Sequence, residues 1–190
     1  MDALKIIPQL FFDLIARSIP GVVALFLATV VAGPHLTWHD LLNQFAGGKL
    51  DPKNVFAFAV FGPLGIGFIV GHLIGPFGKL IEDIFAERPR DDIWLDYDYL
   101  RVHHYDSGAL AAKIRAEYTM HFSLAVVFAL SSAGILVQAC RPTHPSIWFA
   151  GLFALLAASS TRRGASTKRT FANSVTNLVA AAKQEPGTGA

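Results

Sequence analysis

Four times along this chain the mixture of polar and apolar positions gives way to a long run without a single charge. Residues 18–39, 54–78, 119–140 and 142–161 contain no Asp, Glu, Lys or Arg. An α-helix rises about 1.5 Å per residue, so about 20 apolar residues cross a hydrocarbon core roughly 30 Å thick. The pattern predicts an all-α integral membrane protein, a bundle of four transmembrane helices at about 10–33, 54–77, 118–139 and 145–161.

Between and beyond the runs, helical periodicity of the soluble kind returns. Asp51-Pro52 should open the second helix, since proline is tolerated in a first turn. That helix should continue through Leu80, Ile81, Ile84 and Phe85 until Arg88-Pro89 stops it. Gly62-Pro63 and Gly75-Pro76 should bend it or end it locally. Residues 93–100 mix aromatic and acidic side chains in a way that favours packing against a neighbour. Ser107 is placed to cap a helix that enters the third span without a breaker, extending it two or three turns beyond the membrane. After the fourth span, Phe171, Val175, Leu178, Val179 and Ala182 recur at helical spacing. They predict a basic amphipathic helix over 166–183, lying on the membrane or on the extension of helix three. The organisation is then a membrane domain over 1–165, including an acidic inner loop at 79–117, the tail helix, and a disordered end at 184–190. The outer connections are a loop at 34–53, with an interfacial helix around Trp38, and a tight turn at 141–146.

Composition agrees: 53% of residues are hydrophobic and 16% charged, against roughly 25% charged in soluble domains. A net charge of +2 gives no reason to expect nucleic acid, but its distribution is informative. With four spans, thirteen of the sixteen Lys and Arg fall on one side, and only Lys49, Lys53 and Arg141 on the other. Basic flanks resist translocation, so both termini are expected in the cytoplasm, with the protein in a plasma (inner) membrane of bacterial type. Asp13 and Arg17 interrupt the first apolar run, which argues for a retained span over a cleaved signal peptide. The lone Cys140 excludes an internal disulfide.

Candidate chemistry is sparse. Nine of the fourteen acidic residues, with His103 and His104, lie in the inner loop, but no spacing fixes metal ligands on one helix face. An ordinary solvated loop is the expectation, with no metal and no cofactor. Arg115 and His121 stand in an R-x5-H spacing that resembles the motif of the HEPN ribonucleases. His121 falls at the membrane boundary, out of reach of an RNA substrate, and no catalytic residue is assigned. Gly67, Gly71 and Gly75 recur every four residues, giving helix two a bare face on which another backbone can pack.

The preferred site is a polar cluster at inner-leaflet depth: Asp13 and Arg17, His72, Glu117 and His121, from three spans. Ionisable groups at that depth must pair or line a wet cavity. Beyond span four, Arg162, Arg163, Lys168 and Arg169 are expected to contact anionic lipid headgroups. Two functions follow. One is a non-enzymatic membrane component, self-associating through Gly-faced helix two as an oligomeric pore or as the partner of another membrane or cytoplasmic protein. The other is a small transporter or membrane enzyme working through the polar cluster.

Overall fold

The computed structural model describes residues 7–32, 52–138 and 147–184. All regular structure within them is α-helical: α1 (Ile7–Ala32), α2 (Pro52–Phe85), α3 (Asp92–His103), α4 (Tyr105–Gln138) and α5 (Ile147–Gln184). The interfacial helix expected around Trp38, the turn at 141–146 and the disordered end beyond Gln184 lie outside the described residues.

Three of the helices are long and apolar enough to cross a membrane, through Phe11–Thr29, Gly62–Phe85 and Tyr105–Gln138. Fewer than half of the residues in each are buried inside the chain. Ile69, Leu73, Leu130 and Val137 are among the large apolar side chains left exposed. Soluble monomers rarely present apolar surface on that scale, whereas lipid accepts it without cost. The fold suits a helical membrane protein.

Helix boundaries follow local chemistry, with some departures from expectation. α2 opens on Pro52 and ends at Phe85, before Arg88 and Pro89. It runs on through Pro63 and Pro76, so neither Gly-Pro pair ends it. α4 begins at Tyr105, which places Ser107 inside the first turn instead of at the cap. The aromatic and acidic segment forms α3, whose Ile93, Tyr97 and Leu100 stand four and three apart and bury one face. Arg90 donates to Asp92 at 2.6 and 3.1 Å beside the α3 N-terminus. Those hydrogen bonds hold the Asp92 carboxyl below its ordinary value. α5 is a single 38-residue helix, about 57 Å long. No proline interrupts it, and Gly164, where it could have broken, is packed against the Phe122 ring.

α4 touches all four other helices and organises the bundle. Along one half, Leu27 of α1, Val127 and Ile135 of α4, and Ala150 and Phe153 of α5 form one buried cluster. At the other end, here the head, Ile93, Tyr97 and Leu100 of α3 meet Tyr118 and Phe122 of α4 and Phe171, Val175 and Val179 of α5. Phe122 and Phe171 are essentially inaccessible, and burying each such ring contributes about 1.5–3 kcal/mol. α5 runs antiparallel to α4: Ser132 donates to the Ala150 carbonyl at 2.9 Å, and Phe122 lies against Gly164.

α1 and α2 approach closely enough to touch through their backbones. A Cβ on Gly71 would fall on the Arg17 carbonyl, and one on Gly21 would fall on the Gly67 carbonyl. Only glycine permits that approach.

Candidate functional site

The close α1–α2 contact brings Arg17 beside His72, and an Arg17 Nη1 N–H donates to His72 Nδ1. Asp13, one turn earlier on α1, is exposed. Among the described residues no carboxylate stands within 4 Å of Arg17, so the expected Asp13–Arg17 ion pair is not formed. Two backbones in contact leave the Arg17 side chain facing α2, where His72 is the available acceptor. Glu117 and His121 lie one turn apart on α4, with His121 Nε2 at 3.9 Å from Glu117 Oε1. Among the described residues no hydrogen bond or ion pair joins that couple to Arg17 and His72. The five residues form two local pairs and an exposed Asp13, whose carboxylate is within electrostatic reach of Arg115 on α4, without a shared centre.

The polar centre of the head is elsewhere. Glu82, on the last turn of α2, is buried, and its Oε1 accepts from Lys79 Nζ and Lys168 Nζ, each at 2.9 Å. The Lys168 side chain is 5% exposed and that of Glu82 7%. Lys79 also reaches Asp83 at 3.1 Å while staying largely in solvent. Lys168 thus ties the far half of α5 to α2 and points inward. Of the other basic residues of that half, Arg162 and Arg163 are exposed and Arg169 pairs with Glu87 at 3.3 Å. Lys168 shares a helix face with Phe171 and Val175, three and seven positions on. That spacing is the one sequence signal that could have placed it inside.

Beside Glu82 a cavity of about 370 Å³ opens between α2, α3 and α4. Lys79, Glu82, Arg115, Thr119 and Ser123 supply its polar lining, and Gly75, Gly78, Trp94, Tyr118 and Phe122 the rest. The Arg115 guanidinium lies over the rings of Trp94 and Tyr97, 5.4 and 5.6 Å from their centroids. Stacking of that kind fixes the plane of the guanidinium, and hydrogen bonds to the Tyr97 and Tyr118 side chains take up part of its five-donor edge. Thr119 donates to the Arg115 carbonyl at 3.0 Å, which occupies its hydroxyl proton.

The histidines of the acidic loop are engaged with an aromatic ring. His103 stacks on Tyr99 with centroids 4.6 Å apart, and His104 lies 5.6 Å from the same ring. Among the described residues no three His, Cys, Asp or Glu side chains are grouped so as to hold a metal ion. Gly67 and Gly71 meet α1 of the same chain, while Gly75 faces open space at the edge of the cavity.

Comparison with protein families, with characterised proteins and with solved structures finds no match to this chain.

Proposed function

We propose that the chain is a non-enzymatic, four-span protein of a plasma (inner) membrane, with both termini cytoplasmic, whose head serves as the membrane partner of a cytoplasmic protein. The fourth crossing is supported by the register of α5 against α4. Residue 150 lies beside 132 and 164 beside 122, so α5 retraces the path of α4 from one end to the other. Ile147, Trp148, Leu152 and Leu155 turn outward along that half of α5, as lipid-facing residues do. The described apolar stretch 147–161 covers about 22 Å of a hydrocarbon core roughly 30 Å thick.

The observation that carries the partner reading is the outer face of α3. Its inner face is anchored in the head core, yet Leu95, Tyr99 and Val102 form a second stripe directed away from it. Leu95 is 74% and Val102 68% exposed. Asp91 and Asp96 border the stripe, beside Asp92 and Asp98, which pair with Arg90 and Arg101, so a basic amphipathic segment is the complementary occupant. Gly67 and Gly71 are taken up inside the chain. Contacts between copies then fall to the exposed Ile69, Leu73 and Phe77 of α2.

A photoreactive residue at Val102 should give one discrete protein adduct in cells, lost when Leu95 is changed to Asp. Adducts with lipid alone would remove the docking role.

A further inference from the structure

The cavity beside Glu82 sits at a particular depth. The uncharged run of α2 ends at Gly78 and that of α4 begins at Thr119, and both residues line it. It therefore straddles the boundary at which apolar helix surface gives way to charge. In a bilayer that boundary coincides with the lipid phosphates. The charges are arranged to suit an anion. Glu82 is neutralised by two ammonium groups, whereas Arg115, hydrogen-bonded to Tyr97 and Tyr118 and within longer electrostatic reach of Asp13, has no carboxylate within 4 Å among the described residues. Its guanidinium is held in place by two aromatic rings and lies at the cavity wall. Lys79, with three donors on an exposed ammonium, spends two on Glu82 and Asp83. Ser123 adds a hydroxyl to the lining, and Phe122 and Gly75 continue the surface toward the apolar side.

We infer that this cavity binds the phosphate ester of an anionic phospholipid, with Arg115 and Lys79 holding the phosphate and the acyl chains descending along α2 and α4. The inference rests on the proposed topology, which sets the cavity in the inner leaflet. The site is distinct from the exposed Arg162 and Arg163 of α5, which face outward and line neither this cavity nor its mouth. Arginine suits the task because its donors match phosphate oxygens in pairs. Gly75 keeps the apolar side open, since a side chain there would meet no neighbouring atom and would project into the space.

The test is native mass spectrometry of the full chain released from bilayers of phosphatidylglycerol and phosphatidylcholine in equal parts. The expected result is one retained phosphatidylglycerol in clear excess over phosphatidylcholine. Arg115→Gln should reduce that excess roughly tenfold, the scale of one hydrogen-bonded charge. Gly75→Leu should reduce it as well by filling the cavity, with no loss of thermal stability, which covers the case in which Arg115→Gln folds poorly. Changing Arg162 and Arg163 together to Gln should leave it intact. Equal retention of the two lipids, or an excess that survives Gly75→Leu, would overturn the proposal. Displacement of the lipid by millimolar glycerol phosphate would move the source of the phosphate from membrane to solution, and so would also overturn it. An error in topology would show separately, in the side from which a cysteine at Asp98 is labelled.

Discussion

Glu82 receives two ammonium groups on one carboxylate oxygen, but the two lysines differ in how far they depend on it. Lys79 is mostly in solvent, while Lys168 is buried with Glu82 as its carboxylate partner. A buried ion that loses its partner costs about 3–5 kcal/mol. Glu82→Gln strands Lys168, so it should lower stability by that amount. Lys168→Met leaves Glu82 with Lys79 and should cost less, and the pair Glu82→Gln with Lys168→Met should recover most of the loss. Thermal unfolding in detergent measures all three. Additive losses would show that the two residues do not act on each other. The sequence made Lys168 look like a headgroup contact because four basic residues crowd into eight positions. The relevant signal was rotational: only Lys168 of the four lies on the helix face of Phe171 and Val175. The same limit applies to Arg17. Its spacing to Asp13 favours a pair, yet the partner is chosen by the neighbouring helix, and one sequence does not display the neighbour.

At the scale of elements, the α1–α2 contact depends on three glycines of which only two stand in an obvious repeat. Gly67 and Gly71 are legible by their spacing, but Gly21 on α1, which completes the contact, carries no pattern of its own. The third member of the repeat, Gly75, is open. Replacing a helical glycine by alanine ordinarily stabilises by about 0.5–1 kcal/mol, through backbone entropy. Gly75→Ala should follow that rule. Gly71→Ala should reverse it, because the new methyl meets the Arg17 carbonyl and α1 must move outward. Opposite signs in detergent unfolding are the expected outcome, and two stabilising changes would mean that the helices do not touch. Long helices were readable from charge-free runs because hydropathy averages over many residues. α3 was not, since its apolar positions face two ways and its helical amphipathicity nearly cancels. The continuity of α5 was hidden by a change of chemistry at Arg162 that has no conformational consequence, as Arg and Lys are good helix formers.

For the whole molecule, the question is how the head relates to the membrane, and the antiparallel α4–α5 pair makes it testable. Asp98 on α3 and Asn173 on α5 both belong to the head, whose core joins Leu100 to Phe171 and Val175. If α4 spans the membrane, α5 must return across it for those residues to meet. Single cysteines at Asp98 and Asn173, in a Cys140→Ser background, should therefore react with an impermeant thiol reagent from the same side. A cysteine at Asn43, in the outer connection expected from the sequence, should react from the opposite side. If the head is cytoplasmic, as proposed from the balance of Lys and Arg, Asp98 and Asn173 should be protected in intact cells and react only after the membrane is opened. Labelling of Asn43 and Asp98 from one side would remove the second crossing. Labelling of Asp98 and Asn173 from opposite sides would separate two segments that share a buried core, and would overturn the fold of the head together with the four-span arrangement.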